Sequence, residues 1–273
     1  MIQTNNFWTK VKTNTKSLHI IAIGCARFAD SSINLKYPVK DAREMIRLFK
    51  TRSAFYGKIR VDTLFDEQVS AAKIMSLKSK LLLSRPDDFV ILYYAGHGTI
   101  VNQQYLLSTY YTHMENQALQ SISYENVEGL LDSIPARNKL MLIDACYSGE
   151  ADKDANNKTT GIPNAPNAAQ QRKTFELMQA MFSDLRKSNG ASVIGSSGPS
   201  ELALETDVLQ NGVFTYFLKK ALQDKAADLH KNGEITVSEL AGYLKEQVSV
   251  YTEKEQRPTL RNQNIFDDLV VWK

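Results

Sequence analysis

The chain has 273 residues, 43% of them hydrophobic, with 33 Lys and Arg against 30 Asp and Glu for a formal net charge of +3. That slight excess argues against a nucleic-acid surface, while the length allows one large domain, or two small ones, with a substantial core. The longest apolar runs, such as Phe89–Ala95, are far too short to cross a bilayer, and residues 1–17 lack the apolar stretch of a secretory signal, so the expectation is a soluble, cytoplasmic protein with no membrane partner.

Residues 18–24, LHIIAIG, read as a buried strand closed by a glycine turn. In PVKDAREMIRLFK the apolar residues Val39, Ala42, Ile46 and Phe49 recur at spacings of three and four, one face of a helix. KIRVDTLF (58–65) predicts a strand, SAAKIMSLKSKLLL (70–83) a helix and DFVILYYA (88–95) a third strand. Val127, Leu130, Leu131 and Ile134 mark another helix, and KLMLIDA (139–145) a fourth strand. Continuous apolar strands alternating with amphipathic helices predict an α/β fold, a mostly parallel sheet with helices on both faces.

The pattern breaks at 150–173, where Ile162 stands alone as a large hydrophobe among Asn, Ala, Pro, Lys and Gln. This predicts a flexible linker. Beyond it, Phe175, Met178, Phe182 and Leu185 share a helical face. ASVIGSS (191–197) reads as a fifth strand and ELALE (201–205) as a short extended piece, and 212–222 and 237–248 as helices. The sheet is expected to continue across the linker. The organisation is therefore an extension, 1–17, followed by a single domain over 18–273, its 18–149 and 174–273 portions flanking the linker.

Cys25 and Cys146 are the two cysteines, too few for a disulfide framework or a structural zinc site. Two apolar runs end in reactive side chains: FVILYYAGHG in His97 and KLMLIDACYSG in Cys146. In an open parallel sheet, catalytic groups gather beyond the carboxyl ends of strands, so neighbouring strands would bring this pair together. An imidazole beside a thiol supplies the base that makes a thiolate nucleophile. Gly96, Gly98 and Gly149 allow tight turns and backbone donors toward an oxyanion. Taken singly, each reactive residue is more often a turn or core residue; taken together on matched strand ends they favour function, and His97 preceding Cys146 by about 50 residues is the caspase arrangement.

YYAGHG and LIDACYSG together resemble the catalytic core of the caspase–metacaspase clan of cysteine peptidases (peptidase family C14). SSGPSELALE, NGVFTYFLKKAL (211–222) and NGEITVSELAGYL (232–244) are similar to bacterial metacaspase-like domains. The resemblance spans roughly 18 to 248 and implies a three-layer caspase-like α/β sandwich. It implies Cys146 as nucleophile, His97 as general base and acid, and the N–H groups of Gly98 and Cys146 as oxyanion hole, hydrolysing peptide bonds through a thioester without a required cofactor.

Asp144 lies two residues before Cys146 and so on the same face of its strand, either as a turn-capping acid or as a specificity carboxylate. Caspases that cut after Asp carry Gln here, whereas metacaspases carry Asp and cut after Arg or Lys. Asp41, in the first turn of its helix, is explained by the helix dipole alone, but it also matches a metacaspase acid of the S1 pocket. The expected partners are therefore protein or peptide substrates with a basic P1 residue. DACYSG departs from the common metacaspase DSCHSG at Tyr147. Lys153, Lys158, Arg172 and Lys173 lie in the linker, either as sites of autocleavage, foremost Arg172 and Lys173, or as solubilising charges.

Asp228, Asn232, Gly233 and Glu239 fit EF-hand calcium spacing, although His230 is a poor ligand for a hard cation. A turn capping the next helix is the better reading, and calcium stays open as a cofactor. The rivals are a separase-branch (CHAT-type) peptidase and a catalytically silent scaffold; this chain keeps both His97 and Cys146. A monomer is favoured over an edge-strand dimer.

Overall fold

In a computed structural model of the protein, residues 16–147, 190–196, 205–262 and 268–273 are described, with the backbone alone at Met114, Gln117, Ala118, Cys146 and Tyr147. The strands are β1 (Leu18–Gly24), β2 (Ile59–Phe65), β3 (Phe89–Val101), β4 (Gln104–Leu107), β5 (Ile122–Ser123) and β6 (Asn138–Tyr147). They are followed by β7 (Ala191–Gly195), β8 (Glu205–Thr206), β9 (Asn211–Gly212), β10 (Ile235–Thr236), β11 (Thr259–Arg261) and β12 (Val270–Trp272).

The apolar runs are continuous because both faces of the sheet are covered. Ile20, Ala22, Ile91, Tyr93, Leu140 and Leu142 face one core, which the helices Pro38–Lys50, Val213–Gln223 and Val237–Tyr251 close. The alternating residues Ile21, Ile23, Val90, Leu92, Met141 and Ile143 face a second core with Ile74, Leu81, Val127 and Leu130. The main sheet runs β11-β7-β6-β3-β1-β2, with β4 and β5 added beside β3. Strands β2, β1, β3, β6 and β7 are mutually parallel, and β11 closes one edge antiparallel. This is the expected three-layer α/β sandwich, and β7, from beyond the linker, pairs directly with β6.

Two expectations change. The helix predicted over 70–83 divides at Leu77 into Ala71–Ser76 and Lys78–Leu81. The one predicted around Val127–Ile134 is a short helix, Tyr124–Glu128, followed by a 3-10 turn, Gly129–Leu131. Both segments are anchored by tertiary burial of Ile74, Leu81, Val127 and Leu131 rather than by length. The linker 150–173, the helical face at Phe175, Met178, Phe182 and Leu185, and the extended piece before Glu205 lie outside the described residues.

Candidate active site

His97 and Cys146 are not past the ends of their strands, as the apolar runs suggest, but inside them. β3 continues to Val101 because its last residues pair with β6 on one side and with the hairpin strand β4 on the other. Its neighbour β1 stops at Gly24, opposite Ala95, so His97 still stands at the carboxyl edge of the sheet. His97 and Cys146 are direct register partners across β3 and β6, followed by Gly98 opposite Tyr147. Gly96 precedes the histidine, and a Cβ there would lie 2.9 Å from the Tyr94 hydroxyl, so a side chain does not fit without displacing that tyrosine.

The His97 ring is fixed at one nitrogen. Nε2 donates to the Ile33 carbonyl at 2.8 Å, and among the described residues Nδ1 has no hydrogen-bond partner. The Phe28 ring packs beside it with centroids 5.3 Å apart. A carbonyl accepts only, so the neutral ring carries its proton on Nε2 and keeps a lone pair on Nδ1. Burial pushes the ring's pKa down, against the Ile33 bond and the charge of Glu205, and so favours that neutral form. Ile33 sits in a short 3-10 turn, Ser31–Ile33, capped by the Asp30 side chain. Nothing in the apolar periodicity marks it, since its contribution is a backbone carbonyl.

Asp41 and Asp144 come together. They are 2% and 7% exposed, on the Pro38–Lys50 helix and on β6. A Cβ at Gly212 would stand 2.8 Å from Asp144 Oδ2 and 3.2 Å from Asp41 Oδ2, so glycine is what lets both carboxyls approach. Asp41 accepts from the Gly212 N–H at 2.9 Å and from the Asn211 amide. Asp144 accepts from the Thr215 hydroxyl at 2.5 Å, which in turn lies 2.7 Å from the Tyr93 hydroxyl. Glu44 takes the second amide proton of Asn211 at 2.9 Å and pairs with Lys219. Burial pushes Asp41 up to about 7, with the charge of Asp144 adding to it, and pushes Asp144 up to about 6. Asn211, Gly212 and Thr215 are supporting residues that the sequence reading missed.

The remaining candidates separate. Cys25 is a fully buried free thiol donating to the Arg27 carbonyl at 3.5 Å, and burial raises its pKa far above the ordinary range. It is a core residue. Asp228 accepts from the Asn232 and Gly233 N–H groups, and the Asn232 side chain accepts from Glu234 N–H. Glu239 forms a capping box with Thr236 and takes the His230 N–H and ring. These groups are engaged in a turn and a helix cap, and among the described residues no group of three or more His, Cys, Asp or Glu is placed to hold a metal. Lys153, Lys158, Arg172 and Lys173 lie outside the described residues. Among the described residues no helix is long and apolar enough to cross a membrane.

The model of the caspase domain, peptidase family C14, matches residues 18–270, and the chain belongs to that family. Membership points to a peptidase of the cysteine class. Among curated proteins none matches the chain. The chain is similar in fold to the crystal structure of protein GSU0716 from Geobacter sulfurreducens, with a TM-score of 0.60 and 17% identity, covering 92% of this chain and 95% of that one.

Proposed function

We propose that the protein is a cysteine endopeptidase of metacaspase type that cleaves after Arg or Lys. One observation carries the specificity: two buried carboxyls, Asp41 and Asp144, meet at Gly212 next to the strand register that pairs His97 with Cys146. A guanidinium or ammonium entering between them would ionise both and pair with them, whereas an Asp side chain would meet like charge.

In this reading His97 Nδ1 takes the proton of the Cys146 thiol, and the thiolate attacks the scissile carbonyl carbon. The C–S bond forms as the carbonyl electron pair moves onto oxygen, which the N–H groups of Gly98 and Cys146 receive. Collapse breaks the C–N bond, and the leaving amine takes the proton from His97. Water then attacks the thioester, giving its proton to His97, and the C–S bond breaks to return the thiol. The Ile33 carbonyl supports the reading because it keeps the ring oriented and stabilises its protonated form.

A peptide chloromethyl ketone with Arg at P1 tests the assignment. The expected adduct maps by mass spectrometry to Cys146 and forms more slowly in Asp144→Asn. An adduct on Cys25, or equal labelling by the Asp counterpart, contradicts it. We further propose autocleavage in the linker, at Arg172 or Lys173. Intact mass after incubation should resolve two fragments that Cys146→Ala does not give, and a single unchanged mass in active enzyme contradicts it.

A further inference from the structure

The short hairpin of β8 and β9 touches both halves of the candidate site. On one strand Gly212 gives its N–H to Asp41 and makes room for Asp144. Its register partner on the other strand is Glu205, whose carboxylate is taken up by backbone amides of the loop after Ile33. Glu205 Oε2 accepts the Lys36 N–H at 3.0 Å, and Oε1 accepts the Tyr37 N–H at 3.1 Å. Those two amides lie three and four residues beyond Ile33, whose carbonyl holds the His97 ring. The two arms of this loop are joined to each other by Phe28 N–H to the Asn34 side chain and Leu35 N–H to the Ala26 carbonyl, each at 2.8 Å, and the incoming arm is held to the body of the protein by Ala26 and Arg27 N–H to Asp66 and by Ala29 N–H to the Tyr110 carbonyl. The arm that leaves the 3-10 turn is tied to the hairpin through Glu205, and outside it by Asp207 to Lys36 and Tyr37.

We infer that Glu205 is a positioning residue for His97: by chelating two successive amides it fixes the loop that presents the Ile33 carbonyl to the ring. A carboxylate accepting two N–H groups makes charge-assisted bonds, stronger than the neutral ones that join the loop's two arms. The exposed Asp207–Lys36 pair contributes little by comparison. The hairpin thereby sets the catalytic base and the acid pair together, one through each strand. This rests on the peptidase reading of the site, but the link from Glu205 through the loop to the ring has a signature of its own.

The test compares Glu205→Ala, Glu205→Gln and Asp207→Asn with wild type in the full chain. The activity readout is hydrolysis of an Arg peptide. The second readout is the proton on His97 Nε2, detected by NMR in ¹⁵N-histidine protein and assigned by its absence in His97→Ala. The Ile33 bond should protect that proton from exchange. In Glu205→Ala we expect kcat to fall by roughly 10- to 100-fold with KM within about twofold, and the protected ring signal to vanish. Glu205→Gln, which keeps one acceptor, should fall between, and Asp207→Asn should stay near wild type. If Glu205→Ala does not fold, Glu205→Gln carries the test by the same readouts. Folded variants with wild-type kcat and an intact ring signal overturn the inference. A wild type without peptidase activity would overturn the functional reading instead, and the ring signal would still decide the place of Glu205.

Discussion

Asp144 reaches Gly212 so closely that the glycine hydrogen occupies the only space between that carboxylate and the Asn211–Gly212 backbone; a Cβ there would lie 2.8 Å from Asp144 Oδ2. The nearest atoms belong to two acids already held by Thr215, Asn211 and the Gly212 amide itself, so they cannot swing away freely. Gly212→Ala should therefore cost about 1–3 kcal/mol through overpacking. It should also lower kcat/KM for Arg peptides by at least about tenfold, because displaced acids no longer pair with a cation as a unit. Chemical denaturation and peptide kinetics measure the two effects; a variant unchanged in both would mean that the acids do not depend on this contact.

The acid pair also predicts a pH dependence of stability. Asp41 at about 7 and Asp144 at about 6 both lie above the unfolded carboxylate range, so the folded chain binds more protons than the unfolded chain between about pH 4 and 7. Their contribution is most favourable below that window and is lost as pH rises through it, with a slope on the order of 1 kcal/mol per pH unit for each group. Asp144→Asn should flatten the slope in urea melts taken across the window, and an unchanged slope would contradict the raised values.

Substrate selection should follow the same titration. The ratio of kcat/KM for Arg over its uncharged isostere citrulline cancels the ionisation of Cys146 and His97. That ratio should fall at least about tenfold from about pH 8 to about pH 5, as the acids become neutral and lose their charge-assisted bonds to the guanidinium. In Asp41→Asn it should be smaller at every pH and flatter. A ratio independent of pH would mean that the cation is recognised elsewhere.

The C-terminal strand closes the core beneath the helix that carries Asp41. Trp272 is fully buried, packs edge-on to Phe49 with ring centroids 5.6 Å apart, and has the Arg52 guanidinium 4.4 Å above it. The neighbouring Val271 carbonyl accepts from the buried Tyr56 hydroxyl. Trp272→Ala should cost about 3–5 kcal/mol, read by thermal or urea unfolding. A loss below about 1 kcal/mol would show that the core repacks around the cavity.

How legible all this was varies with the kind of residue. Four of the five parallel strands were readable because burial on both faces turns each into a nearly unbroken apolar run, as in LHIIAIG and KLMLIDA, whereas β2, an outer strand that is largely uncovered, was readable from its spaced Ile59, Val61 and Leu64. The end of β3 was not, because GHG punctuates it like a turn although β4 and β6 hold it extended. The candidates His97, Cys146, Asp41 and Asp144 were singled out from motifs. Their partners were not: Ile33 acts through its carbonyl, and Asn211, Gly212, Thr215 and Glu205 meet the acids and the histidine's loop only through tertiary folding. The calcium-like spacing at Asp228 had a competing local signal in Thr236 and Glu239, the Thr-x-x-Glu of a capping box, and that signal is the one the structure uses.

The measurement that bears most directly on the account is hydrolysis of fluorogenic peptides matched except at P1, carrying Arg, Lys or Asp, with Cys146→Ala as the blank. The account predicts turnover after Arg and Lys, none above the blank after Asp, and loss of activity in Cys146→Ala by at least about a thousandfold. Turnover confined to the Asp peptide would contradict the pocket built from Asp41 and Asp144, and turnover that survives in Cys146→Ala would contradict the nucleophile.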